Sequence, residues 1–281
     1  MICRVPGSSA NIGPGFDSLG VALSVAVEIG VLGTEHALPT GAHAADDHHL
    51  ATIAFRRLGG EGQLWERSAI PMGRGLGYSA SVRLAGLLLA CGQRGREPEE
   101  TIVEFGEEAL AHAISLEGHA DNAGPALLGG VVATTGEHSI RVPLGFDPAI
   151  VVWVPSFTTR TDQSRNKLGP SVTLADAVFN IGHTAVLVAA LAAGDVGALR
   201  HAVDDRVHQP VRFASSPMSR AAHDAALGAG AWCAWLSGSG PTVAAMCPID
   251  AAASLAAALP ADGHTKILRI DHGGAVLERD S

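Results

Sequence analysis

Aromatic residues make up only 4% of this 281-residue chain, and Tyr78 is its single tyrosine. A core so short of rings has to be filled by alanine, valine and leucine. At 47% apolar residues there is enough of them to argue against wholesale disorder. Cysteine is scarce as well: Cys3, Cys91, Cys233 and Cys247 form no CxxC pair. That argues against a disulfide frame or a structural zinc site and for reduced, buried thiols. No block of basic residues stands out, and 19 Lys/Arg against 28 Asp/Glu leave a formal charge of −9. Nucleic acid and an anionic membrane are therefore poor partners, although a few local arginines suffice for an anionic substrate. No basic segment followed by an apolar one opens the chain, and no apolar run is expected to reach membrane-spanning length. The expectation is a soluble, cytoplasmic protein.

Two short stretches carry most of the chemistry. Gly73-Arg74-Gly75-Leu76-Gly77-Tyr78-Ser79-Ala80-Ser81 is a glycine-rich loop running into an apolar helix. Its unencumbered amides and the helix N-terminus favour an anion. It lacks the lysine of GxxxxGK[ST], so it is not a Walker A loop. The opening Val5-Pro6-Gly7-Ser8-Ser9-Ala10-Asn11-Ile12-Gly13-Pro14-Gly15-Phe16-Asp17 reads as a loop of small residues carrying one amide and one carboxylate. Together the two suggest phosphoryl transfer to a small polar molecule.

The rest of the chain alternates strand-like and helical segments without internal repeats. Strands are expected near 21–29, 131–134, 150–154, 232–236, 242–247 and 266–270, and helices near 49–58, 84–91, 98–117, 174–193 and 251–259. A further helix is expected to end before Pro210. Prolines at 143, 148, 155 and 170 mark a change of texture, and a domain boundary is placed near residue 150. The pattern reads as α+β rather than a series of βαβ units. Leu236-Ser237-Gly238-Ser239-Gly240-Pro241-Thr242 looks by itself like an ordinary hairpin turn. His119, Asp121 and Asn122 look like turn residues, and Arg160, Arg165 and Arg212 like solvated arginines. His43, His48 and His49 resemble a metal cluster in composition, but they fall in an expected loop at a spacing that does not make a metal frame.

In combination these segments resemble one family over nearly the whole chain. Residues 6–20 look like the start of homoserine kinases of the GHMP kinase superfamily. Gly75-Leu76-Gly77-Tyr78-Ser79-Ala80, Glu117-Gly118-His119-Ala120-Asp121-Asn122 and Leu236–Thr242 follow in the family order. Asp176-Ala177-Val178-Phe179-Asn180 and His208-Gln209-Pro210-Val211-Arg212 are similar to it too. The resemblance implies the GHMP fold, with an N-terminal domain (1–150) like ribosomal protein S5 domain 2 and a ferredoxin-like C-terminal domain (151–281). It also implies a homodimer, with ATP and Mg2+ used on a small amino acid. Asn11, Asp17, His119, Arg165 and Arg212 then fall where the family holds homoserine. Asn122, Thr161 and Arg165 fall at the reacting groups. Gly75, Leu76, Gly77, Tyr78, Ser79, Ala80, Arg83 and His49 fall at the nucleotide, and Ser79 at the metal. An amide at Asn122 cannot act as a carboxylate base, so the implied mechanism is direct attack of the substrate hydroxyl on the γ-phosphorus.

The chain departs from the family on the nucleotide side. Tyr78 stands where GLGSSA has serine, and Ser115 where a magnesium-binding glutamate is expected. His49 replaces an adenine-contacting asparagine, and Arg83 adds a cation beside the loop. Two readings follow. In one, the protein is a homoserine kinase in which Glu117 or Glu108 supplies the metal ligand and Tyr78 points away. In the other, it keeps an amino-acid pocket but has an impaired ATP/Mg site, and catalyses a different reaction or acts as a binding protein.

Overall fold

The computed structural model describes residues 1–33, 38–95, 97–157 and 167–279. A long hairpin begins the first sheet. β1 (Ile2–Ala10) runs antiparallel to β2 (Leu19–Val31), with a register shift between Pro6 and Gly7. A bulge there suits a strand that carries proline next to glycine. β3 (His43–Ala45), α1 (Leu50–Arg57) and β4 (Leu64–Ser68) follow, β4 pairing with both β2 and β3. Three helices come next: α2 (Tyr78–Gly92), α3 (Pro98–Glu117) and α4 (Ala120–Leu128). The hairpin of β5 (Val131–Thr134) and β6 (Ser139–Val142) then pairs back onto β2.

α2 holds this half together. It is apolar on almost every side, with Val82, Leu84, Leu87, Leu88 and Leu89 fully buried, and it contacts β1, α1, α3 and α4. A helix hydrophobic all round belongs inside a core. Its N-terminus is thereby fixed at the edge of the sheet, where the glycine loop arrives.

β7 (Ala149–Pro155) opens a second sheet. α5 (Leu174–Ala193), α6 (Val196–Ala202), α7 (Gln209–Ala214) and α8 (Pro217–Gly228) lie between it and β8 (Cys233–Leu236). β9 (Val243–Cys247), α9 (Ala252–Ala257) and β10 (Gly263–Arg269) complete an antiparallel sheet of order β10-β7-β9-β8. Strand–helix–strand–strand–helix–strand is the ferredoxin-like plan. The last strand, β11 (Val276–Glu278), returns to the first sheet and pairs with β1. Two antiparallel sheets with segregated helices make the chain α+β, as the sequence pattern implied.

Three local readings are corrected and one is kept. The opening stretch is strand up to Ala10, and only 11–18 form the loop; pairing with β2 overrides the poor strand propensity of Pro6, Gly7 and the serines. His119–Asn122 do not make a mere turn but start α4, with His119 at its N-cap. The helix expected before Pro210 is α6, which ends at Ala202, and Pro210 itself lies in the first turn of α7, where a missing N–H costs nothing. Finally, α5 is long and apolar enough, by length and composition, to cross a membrane. Its Asn180, Leu187, Ala190 and Leu191 are buried against the rest of the protein.

Candidate active site

Three loops meet between the sheets. The loop after β1, the glycine loop before α2 and the β8–β9 hairpin tip are tied mostly by backbone groups. Gly238 N donates to Ala10 O at 3.1 Å, and Ser8 N to Leu76 O at 3.1 Å. Ser237 Oγ donates to Gly75 O at 2.5 Å and lies 2.7 Å from Ser9 Oγ. The stretch that looks like an ordinary turn in sequence is thus the clamp joining the two halves. Gly75 and Gly77 have φ of +76° and +72°, and a Cβ on either would run into Ser237 O or Ser8 Oγ. Both the dihedral and the close approach demand glycine there.

A cavity of about 580 Å³ opens along the glycine loop. Asp46, His48 and His49 line one end, Glu117, His119 and Asn122 the other, and Gly238 and Ser239 add wall from the second sheet. The amides of 75–80 and the N-terminus of α2 lie between these ends, a donor surface suited to phosphate. At the first end, Glu66 on β4 organises two of the residues singled out in the sequence, His49 and Tyr78. His49 Nδ1 accepts from Ala51 N at 3.3 Å, which leaves Nε2 to donate to Glu66 Oε2 at 2.7 Å. Tyr78 Oη donates to the same oxygen at 3.0 Å. Burial pushes the Glu66 carboxyl up, but the hydrogen bonds from His49 and Tyr78, with the electrostatic pull of the His49 and His43 imidazoles, outweigh it and hold the group below its ordinary value. Burial, and then the Glu66 charge, push the Tyr78 phenol well above its ordinary value, so it remains a donor. Tyr78 is 7% exposed and forms wall rather than plug.

At the other end Ser79 Oγ donates to Glu117 Oε1, and Arg83 Nη1 bonds both Ser79 Oγ, at 2.8 Å, and Glu117 Oε1. Ser115, expected at the metal position, is exposed on the outer side of α3, where Arg57 Nη2 donates to its Oγ at 3.5 Å. Two residues along a helix face opposite ways, so Glu117 reaches the cavity and Ser115 does not. Glu108 is also outside the cavity, in an exposed pair with Arg94 at 2.9 Å.

The side expected to take the amino acid is built largely from buried side chains. Asn11 Nδ2 donates to Gly238 O at 3.0 Å, and its Oδ1 accepts from Asp17 N at 3.0 Å. Arg212 Nη1 donates to the same Gly238 O at 3.0 Å and to His208 Nδ1 at 3.0 Å, beneath the Phe16 ring. His208 Nε2 donates to Gly13 O at 2.8 Å. Because Gly13 O only accepts and Arg212 only donates, His208 is the neutral Nε2–H tautomer. Burial pushes its pKa down to about 4, with the Arg212 charge acting the same way and Asp205 against. Asn11, Ile12 and Asp17 have φ of +74°, +42° and +56°. Three non-glycine residues in the left-handed region, one of them β-branched, mark stored backbone strain. Asn122 lines the cavity with its Oδ1 accepting from Ser8 Oγ at 2.9 Å.

Asn11, Asp17 and Arg212 therefore gather on one side, and His119, Asn122, Ser79, Arg83 and the glycine loop on the other, with Gly238 shared between them. Thr161 and Arg165 lie outside the described residues, as does Arg160. Glu66 and Asp205 were missed by sequence reading. Glu66 carries no signal, being one acid in an ordinary strand. Asp205 accepts from the N–H groups of Val207, His208 and Gln209, and an aspartate just before a helix start could have flagged it.

Models of two families match: the GHMP kinases N terminal domain over residues 48–130 and GHMP kinases C terminal over 187–265. The class of protein is thus that of the GHMP kinases. Homoserine kinase of Gloeobacter violaceus is 39% identical over 92% of this chain and 91% of that protein. That of Moorella thermoacetica is 38% identical over 88% and 87%. A crystal structure of homoserine kinase from Cytophaga hutchinsonii superposes with a TM-score of 0.81, covering 99% of this chain and 97% of that one at 24% identity, a likeness of fold. The chain belongs to the homoserine kinase family of GHMP kinases.

Proposed function

We propose that the protein transfers the γ-phosphate of ATP to the side-chain hydroxyl of L-homoserine. The observation that carries this is the shared wall at Gly238. Its carbonyl receives the two amino-acid-side donors, Asn11 and Arg212, while the residue itself lines the cavity of the glycine loop. A substrate held by the first set would present its hydroxyl to a phosphate held by the second. Arg212 and Arg165 are assigned to the carboxylate, for which a guanidinium fork is suited, and Asp17 to the ammonium group. Asn11 and His119 complete the pocket.

On the nucleotide side, amides of Gly75–Ala80 hold the phosphates, and His49 and Tyr78 border the base end. The residues present fit a divalent cation: Ser79 and Glu117 bring a hydroxyl and a carboxylate, both hard oxygen donors, into contact beside the phosphate cradle. When bound there with ATP, Mg2+ would be held by Ser79 and Glu117 and would supply neutralisation of the phosphate charge. Asn122, an amide, takes no proton. The homoserine hydroxyl therefore attacks the phosphorus directly, the bond to the ADP oxygen breaks, and the hydroxyl proton leaves with solvent or the new phosphate ester. Thr161 is assigned to the reacting groups. The buried Tyr78 and the Glu117 carboxylate favour this kinase over a binding protein with an impaired nucleotide site.

The two GHMP domains are taken to divide near residue 150, and the enzyme to be a cytoplasmic homodimer. Support for the dimer comes from α5, whose Leu174, Val178 and Ile181 are 81%, 59% and 70% exposed and continue into exposed Ala185 and Ala189. A stripe of this kind, ending in small residues, suits close approach to the same helix of a second copy across a two-fold axis. Calorimetry with homoserine and with Mg-ATP, combined with an assay of homoserine-dependent ADP formation, tests the activity. Homoserine binding without nucleotide binding would sink it.

A further inference from the structure

Arg83 is a residue of the site that neither phosphate cradling nor amino-acid recognition requires. It follows Ser79 by four residues on α2, so the two side chains share a helix face. Its Nη1 reaches across to Glu117 on α3 and donates to both members of the pair assigned to the metal. Hydroxyl, carboxylate and guanidinium form a closed triangle. It is largely sheltered, with 20% of the Arg83 side chain and 17% of the Glu117 side chain exposed.

The triangle sets up a competition. The Glu117 oxygen in contact with Ser79 is the one that Arg83 holds. Arg83 holds that oxygen through its guanidinium N–H, so it frees the oxygen only by moving its side chain. With Arg83 in place, Glu117 and its partner sum to zero charge, and the attraction a lone carboxylate would exert on a divalent cation is largely cancelled. Nucleotide phosphates change the balance, because they bring negative charge and fork-matching oxygens to the neighbouring loop.

We propose that Arg83 is an intramolecular competitor for the metal's carboxylate. It keeps the Ser79–Glu117 pair closed to free divalent cations and makes metal binding depend on nucleotide phosphates. Arg83 is a positioning residue in this role, acting through Glu117. The inference rests on the assignment of Ser79 and Glu117 as the metal pair.

The test is Mn2+ binding to the full chain, read from the loss of the free-ion paramagnetic resonance signal, with and without a non-hydrolysable ATP analogue. The wild type should bind Mn2+ weakly alone and much more tightly with the analogue. Arg83→Met should bind Mn2+ alone about tenfold more tightly, narrowing that gap. Arg83→Gln, which keeps a donor for Ser79 but loses the charge, should do the same and serves if the methionine variant fails to fold. Arg83→Lys should retain the wild-type gap, and Glu117→Gln added to either neutral variant should abolish the gain. Unchanged or weaker Mn2+ affinity in a folded neutral variant overturns the inference, as does a gain that survives Glu117→Gln. If such a failure comes with normal homoserine-dependent ADP formation, the kinase assignment stands and only the role of Arg83 falls. If ADP formation is absent while the tenfold gain is seen, the reverse holds.

Discussion

The opening loop and the glycine loop sit side by side, yet they are held in opposite ways. In the glycine loop, Gly75 and Gly77 adopt left-handed conformations without strain, and its links to neighbouring loops run through backbone carbonyls. What it offers a ligand is backbone, largely indifferent to its side chains. In the opening loop, Asn11, Ile12 and Asp17 adopt the same region of backbone space at a cost, offset by buried bonds from specific side chains. What it offers is side-chain identity. The contrast explains how a tyrosine can stand in the first loop without wrecking it: Tyr78 needed only a place for its ring and a partner for its hydroxyl, and Glu66 supplies the latter.

The largest effect is expected where side-chain bonds support strain. Asn11→Ala removes two hydrogen bonds and leaves alanine at positive φ. The cost should be about 4 kcal/mol in urea unfolding, with the homoserine KM rising much more than the ATP KM. Equal rises in both would mean that the loops are not separable. Gly75→Ala should cost about 2 kcal/mol, from its positive φ and its contact with Ser237 O, and should raise the ATP KM first. A larger loss than that of Asn11→Ala would reverse the comparison.

Acid should act on the opening side as well. An unfolded histidine takes up a proton below about pH 6.5, whereas His208 resists until about pH 4. Between those values the unfolded state binds more protons, so stability is complete above the upper one and declines as pH falls toward the lower. Urea midpoints at pH 7 and pH 5 should differ more in the wild type than in His208→Asn. The smallest effect belongs to Tyr78→Phe, about 1 kcal/mol for the lost bond to Glu66, with ATP KM nearly unchanged. A marked gain in ATP affinity would show that the phenol obstructs the cavity after all.

The sequence by itself determined the class of fold, the family and most of the residues that meet in the site. Glycine loops, caps and short motifs are local signals, and their order along the chain is specific. It also marked Tyr78, His49 and Arg83 as unusual. Only the tertiary structure decided how those residues are placed and what they bond. Whether Ser115 or Glu117 faces the cavity depends on the rotation of α3 against α2, which spacing to His119 does not reveal. That Tyr78 and His49 share Glu66 depends on β4 lying beside α1 and the start of α2, a juxtaposition of segments distant in sequence. The plain turn at 236–242 became the clamp between the halves for the same reason. Local propensity is written residue by residue, whereas a shared hydrogen-bond partner exists only once the elements have packed.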